Sequence, residues 1–308
     1  SDDGSSMLSG SSGAKIKAEA KIGGLVGWSD NVQLVDCSNT GTTITATKYY
    51  LDTNTTTYYA YVGGFAGKGD AFTNCHNAAN ISYSQRGIYV GGIAGYVDDK
   101  LANCSNTGNV VAASSDYVGG LVGYASYGGY TFTYSELENS GGVSGVNYVG
   151  GVFGRVYEYA SANTNYTISL QTAENSGCIS ATGNYVGGLI GHFYAYNSYG
   201  YTVTITVMEA KNTGDVTSVE AAYVGGLFGY AYAESTSSKI LTSSSSANVT
   251  GGYYVGGLAG WLENIVVQDC SNEGSTVTAT KTFVEGTTYY AYVGGFAGRG
   301  YSFISCTN

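Results

Sequence analysis

A seven-residue pattern, Tyr-Val-Gly-Gly-hydrophobic-x-Gly, returns along the whole chain and limits its fold more than any other feature. It occupies residues 61–67, 89–95, 117–123, 148–154, 185–191, 223–229, 254–260 and 292–298, with a divergent copy at 21–27. The shortest intervals, Val62 to Val90 and Val90 to Val118, are both 28 residues. Repeats of that length mark stacked architectures. One unit cannot bury its apolar side alone, so neighbours share a continuous core.

A second motif, Cys-x-Asn-x-Gly and then a β-branched residue, follows the first. Cys37-Ser38-Asn39-Thr40-Gly41 and Cys104-Ser105-Asn106-Thr107-Gly108-Asn109-Val110 carry it, as does Cys270-Ser271-Asn272-Glu273-Gly274. Cys75-His76-Asn77 and Cys306-Thr307-Asn308 are partial copies. Elsewhere the Cys position holds Leu137, Ala173 or Ala210, followed by Asn139, Asn175 or Asn212. A slot that accepts Cys, Leu and Ala is small, apolar and buried, so these thiols read as core rather than as redox or metal groups. Cys178 lies outside the slot and takes no role from the pattern.

Two strand patterns joined by a Gly-rich bend make one coil. The expected fold is all-β, a β-solenoid (parallel β-helix-like) of about nine coils, roughly 40 Å long at one strand spacing per coil. Residues 1–11 read as a flexible N-terminal tail and 12–308 as a single repeat domain. Asn of the second motif is expected to form a side-chain ladder at a turn. Insertions fall after the first motif, at 124–136, 156–172 and 193–209, and after the second, at 45–60 and 278–291. The last two both begin Thr-Ala-Thr-Lys and run into Tyr-Tyr-Ala-Tyr-Val-Gly-Gly-Phe-Ala-Gly, a duplication laid over the coil repeat.

Composition agrees. The 308 residues include 48 Gly, 31 Tyr and no Pro. An uninterrupted hydrogen-bonded stack excludes Pro, whereas Tyr, Thr and Val favour strands. A net charge of -10 argues against nucleic acid and against anionic lipid as partners. No apolar stretch approaches the roughly 20 residues that span a bilayer. No secretory leader opens the sequence, which reads as a mature or trimmed form.

The repeat resembles the GLUG motif of bacterial surface and secreted proteins, Gly-Gly-Leu-Val-Gly-Tyr and then Asn-Cys-x-Asn-x-Gly-x-Val. Residues 119–124 and 103–110 match it, and the resemblance extends over about residues 21–308. It implies a non-catalytic structural or adhesin-like β-solenoid, extracellular or on the bacterial cell surface, with no cofactor. Some relatives accompany an IgA-cleaving metallopeptidase domain, but the zinc-binding His-Glu-x-x-His it needs is absent from this sequence. Ser1-Asp2-Asp3-Gly4 resembles the acidic stretch of Bacteroidetes surface lipoproteins, which implies an outer-membrane anchor. An ordinary tail gives the same composition.

Chemistry-bearing residues are few. His76 and His192 stand where other repeats carry unrelated side chains, so both are expected to face solvent as scaffold. Right-handed β-helices include polysaccharide lyases, which makes a carbohydrate-active or carbohydrate-binding protein the alternative reading. It would need clustered carboxylates with Ca²⁺ or a basic side chain on adjacent coils. Candidates are Asp98, Asp99, Glu136, Glu138 and Glu158.

The tyrosine ahead of each Val-Gly-Gly is the candidate ligand site. Tyr61, Tyr89, Tyr117, Tyr148, Tyr185, Tyr223, Tyr254 and Tyr292 fall in register, and with Val inward they point outward. Such rings either stabilise the stack or offer a platform for host or cell-surface glycans or proteins. The ends suggest a further partner, other copies of the chain. Cys306-Thr307-Asn308 stops in mid-coil, and Ser12-Gly13-Ala14-Lys15-Ile16 continues the motif. Head-to-tail filaments through Ser12, Gly13, Ile16, Cys306 and Asn308 are therefore expected, against a natural chain that continues with more coils.

Overall fold

The computed structural model describes residues 6–8, 11–12, 16–18, 21–28, 32–41, 43–47, 50–52, 57–126, 128, 130–160, 163–273, 276–285 and 288–308. Among these residues every regular element is a β-strand. Each coil passes through four sheets in turn. Sheet I has nine strands, from Lys21–Ile22 through Tyr61–Gly63 to Tyr292–Gly294. Sheet II also has nine, from Val26–Trp28 to Ala297–Arg299. Sheet III, with 15 strands, carries the second motif, as in Leu101–Asn106. Sheet IV returns the chain with nine strands, from Ile16–Ala18 to Val277–Ala279.

Pairing within these sheets is parallel and keeps the repeat in register. Val62 opposes Val90, Val90 opposes Val118, and so on to Val293. Sheet IV does the same from Ile16 on Ile44 to Val249 on Val277. Parallel strands need a long crossover, and here the rest of each coil supplies it. The fold is a β-solenoid, as the repeat implies.

The glycines explain the coil's cross-section. A Cβ on Gly91 would come within 2.2 Å of the Ala94 carbonyl, so the bend between sheets I and II closes only on glycine. A Cβ on Gly92 would strike the Asn106 side chain at 2.4 Å. The bend therefore presses inward onto the Asn of the second motif, and the coil narrows there. The core is accordingly two apolar columns. Leu121, Val122, Cys104 and their equivalents fill one, between sheets II and III. Val118, Val110 and theirs fill the other, between sheets I and IV.

The expected asparagine ladder runs along the narrowing. Nδ2 of Asn77, Asn106, Asn139 and Asn175 donates to the Oδ1 of the next coil's Asn at 2.7, 2.8, 2.7 and 2.7 Å. Ser245 interrupts it, and Asn272 resumes toward Asn308 at 2.7 Å. The Cys slot is also as read. Sγ of Cys75 donates to the Leu34 carbonyl one coil back at 3.4 Å, and that of Cys270 to Ile240 at 3.5 Å. The Cys104 thiol beside it, and then burial, push the Cys75 thiol far up; burial takes Cys270 to about 11. Both stay protonated and unreactive.

Insertions of the first kind lengthen sheets II and III. Phe153–Ala160 and Ile190–Asn197 extend the short strand seen as Ala94–Val97. Tyr166–Asn175 and Val203–Asn212 extend sheet III beside them. The duplicated second kind forms two antiparallel hairpins, Tyr50–Asp52 with Thr57–Tyr59 and Phe283–Glu285 with Thr288–Tyr290. The N-terminal end departs from expectation. Ser6–Leu8 pairs with Val32, Gln33 and Leu34, and Ser11–Ser12 with Ser38 and Asn39, so the supposed tail contains stacked strands from Ser6.

Candidate functional site

The Val of the first motif is buried in every copy from Val62 to Val255, although Val293 in the last coil is exposed, so alternation turns the preceding Tyr to the outside of sheet I. The residue after the third Gly turns to the outside of sheet II, where Lys68, Tyr96, Tyr124, Arg155, His192, Tyr230, Trp261 and Arg299 succeed one another in register. The two rows meet because the third Gly lets the sheets' outer sides touch: a Cβ on Gly123 would lie 2.5 Å from the Tyr117 carbonyl. The sheets thus enclose a notch, and the aromatic rings fill it.

Ring centroids in the first row follow at 5.0 Å (Tyr61–Tyr89), 5.3 Å (Tyr89–Tyr117), 4.6 Å (Tyr117–Tyr148) and 4.9 Å (Tyr148–Tyr185). They continue at 5.0 Å to Tyr223, 5.2 Å to Tyr254 and 4.9 Å to Tyr292. From Tyr117 to Tyr292 successive planes are tilted by 16° or less. The second row meets the first edge-on, as in Tyr117–Tyr124 at 5.6 Å and 81°. Cations seat on ring faces: Lys21 over Trp28 at 3.9 Å, Arg155 over Tyr148 at 5.0 Å, and Arg299 over Trp261 at 4.2 Å.

The first row is half-buried except at Tyr292, which is exposed. Burial first, then neighbouring phenols, raise Tyr89, and burial followed by the Glu263 carboxylate raises Tyr230, whose hydroxyl donates to Glu263 at 3.0 Å. These phenols are neutral near pH 7. A row stacked this closely spends its ring faces on itself and leaves little face for sugar rings.

His192 corrects the expectation of a solvent-facing scaffold residue. It is 6 % exposed, wedged edge-on against Tyr148 and Tyr185, and its Nδ1 accepts from Arg155 Nε at 3.2 Å. Burial and then the Arg155 charge lower its pKa to about 3. His76 is exposed as expected, 2.9 Å from the Ser105 hydroxyl.

The candidate carboxylates are scattered. Asp98 pairs with Lys68 at 2.7 Å on sheet II, and Asp99 follows at the turn. Glu158 is buried inside the widened part of sheet II, near enough to Tyr166 to raise its phenol after burial. Glu136 and Glu138 lie on sheet III, where Glu138, Glu174 and Lys211 occupy one position in consecutive coils and line a shallow cleft with Asn139, Asn175, Ser176 and Thr213. Among the described residues no three His, Cys, Asp or Glu side chains are grouped to hold a metal, and no helix is long and apolar enough to cross a membrane.

At the ends, Ser12 pairs with Asn39 and Ile16 with Ile44, while Gly13 lies outside the described residues. Cys306 donates to the Val267 carbonyl at 3.6 Å, and Asn308 accepts from Asn272. Ser6–Leu8 and Ser11–Ser12 therefore already pair where a neighbour's Cys306-Thr307-Asn308 was expected to run. Sequence reasoning passed over the second aromatic row, although every repeat shows its residue directly after the third Gly.

A family model described as the GLUG motif matches residues 86–111 and 251–278. Comparison with curated proteins and with solved structures each returned no match. Those two segments are single turns of the solenoid, one near each end, and the coils between them repeat the same register. In these two segments the chain carries the GLUG motif, and its repeats are similar to those of GLUG-motif proteins.

Proposed function

We propose that this chain is an extracellular, cell-surface structural or adhesive module that presents a rigid patterned surface. The observation that supports this most is the double row of side chains in the notch, kept in register along sheets I and II. Ring pairs of this kind contribute up to about 1 kcal/mol each beyond burial, so the row stiffens the surface that it decorates. Binding of the purified protein to cells and to glycan arrays tests this reading. Saturable binding without turnover supports it, and sustained release of unsaturated or reducing sugar products would sink it.

The cleft of Glu138, Glu174 and Lys211 favours a second reading, a carbohydrate-active β-helix, because it sets carboxylates and a base on adjacent coils. Only activity lost on Lys211→Ala would support it.

End-to-end association of copies also has an observation in its favour. Phe72 is fully buried beneath the next coil, but its counterpart Phe303 is 41 % exposed and Ile304 is 47 % exposed. Contact would be coil face on coil face, since Ser6–Leu8 and Ser11–Ser12 are already paired in the first half-coil. Sedimentation that stays monomeric at high concentration would remove this part of the proposal.

A further inference from the structure

We infer that the widened part of sheet II is a binding face for uncharged polysaccharide. The inference rests on the adhesive reading and gives it a location and a ligand class. Ordinary sheet II strands are short, as in Ala94–Val97 and Val122–Ala125, but Phe153–Ala160, Ile190–Asn197 and Phe228–Ala233 run on. Alternation sends Val156, Phe193, Ala195, Ala231 and Ala233 inward, and all are buried. The outward positions gained are Tyr157, Tyr159, Tyr194, Tyr196 and Tyr232. They form a row at 5.2 and 4.9 Å (Tyr157–Tyr194–Tyr232) and a shorter one at 5.4 Å (Tyr159–Tyr196).

The opposite face of the same extension shows what stacking alone requires. On sheet III the outward side chains are Thr167, Ser169 and Gln171 in one coil and Thr204, Thr206 and Met208 in the next. That face is solvated and ordinary. Strand extension by itself therefore does not call for tyrosine, and the asymmetry points to contact with something outside. The loop beyond adds Tyr199, 60 % exposed, where Tyr159 is 56 % exposed. Away from the two ends of the stack, the exposed aromatic side chains of the described residues are Tyr159, Tyr199 and Tyr201 in the lengthened coils and Tyr130 in the coil before them. Exposed apolar groups gathered in this way mark interaction sites.

Tyrosine offers an apolar ring and a hydroxyl together, which suits the C–H faces and hydroxyls of sugar rings. The three-ring row is stacked as closely as the row in the notch and spends its faces on itself, but the short row leaves outer ring faces free of further rings, because the next coil carries Glu234. Charge argues against an anionic chain. Arg155 is already seated on Tyr157 at 4.0 Å, and Glu234 and Glu263 stand at the other margin. An open sheet surface fits several consecutive sugar units rather than one enclosed monosaccharide.

Affinity electrophoresis through gels containing mannan, mixed-linkage β-glucan or soluble starch, with alginate as the anionic contrast, tests the assignment. At least one neutral polysaccharide should retard the protein. Tyr159→Ala, an exposed change that leaves the core intact, should weaken retardation at least threefold, and Tyr159→Ala/Tyr196→Ala/Tyr199→Ala at least tenfold, with unfolding midpoints near that of the unaltered protein. Retardation by alginate alone, or a triple variant that binds as before, would overturn the face. If no polysaccharide retards the protein but coated beads still adhere to cells, the glycan face falls and the adhesive reading stands on a protein partner.

Discussion

Thr172 holds φ at +53°, in a region that β-branched residues rarely enter. The same position in every coil from Asp36 onward is left-handed: Asp36, Asn74, Asn103, Glu136, Glu209, Thr242, Asp269 and Ser305 share it, with φ from 45° to 55°. Asn suits it best, and Asn103 Nδ2 donates to Asn74 Oδ1 at 2.7 Å, as Asn74 does to Asp36 at 2.8 Å. Thr172→Asn should therefore raise stability by about 1 kcal/mol, read as a higher urea midpoint with an unchanged slope. An unchanged or lower midpoint would contradict the strain argument. His192 gives a pH prediction of definite sign. Its folded pKa, about 3, lies below the ordinary value of 6.5 in the unfolded chain. The unfolded state thus binds a proton that the folded state refuses. Stability should be unaffected above pH 6.5 and fall by up to about 1.4 kcal/mol per unit from there toward pH 3. His192→Tyr, which copies Tyr124 and Tyr230 of the same row, should flatten that decline in urea titrations at pH 7 and pH 4.

At the scale of the element, the asparagine ladder was legible because one residue type recurs at one spacing, and a turn position that holds Asn in coil after coil has backbone groups to satisfy. Its depth was not legible. Asn106 and Asn139 are fully buried because Gly92 and Gly120 press the bend onto them, a contact between residues of different motifs. The same pressing-in made the notch, and with it the burial of His192. Variation of that position between Tyr, Arg, His and Trp looked like solvent exposure, but all four side chains make ring or cation–ring contacts. Two substitutions test the ladder from opposite sides. Asn139→Ala removes its bonds to Asn106 and Asn175 and should cost about 2–4 kcal/mol. Ser245→Asn should restore the link between Asn212 and Asn272 and add about 1 kcal/mol, since Asn77 already tolerates Ala two residues on, as Ser245 has Ala247. A destabilised Ser245→Asn would mean that the ladder's continuity carries little energy.

Across the whole molecule, the repeat named the fold because parallel in-register pairing is the arrangement in which identical coils bury identical faces. The tyrosine face of the extension was less legible. The segment 201–207 reads as a strand from its alternation, but which of two neighbouring extensions faces outward with tyrosine depends on how the coil closes. The central claim is that the chain is one continuous stack, rising one strand spacing per coil. Ser38 and Ser271 occupy the same position on sheet III, linked through His76, Ser105, Glu138, Glu174, Lys211 and Ser244. Seven steps at about 4.8 Å place their Cα atoms about 34 Å apart. Spin labels on Ser38→Cys and Ser271→Cys, with the exposed Cys178 replaced by Ser, read that separation by double electron–electron resonance. A single narrow distribution within label reach of 34 Å is the predicted result. A broad distribution, or a peak beyond about 50 Å, would contradict a single in-register stack.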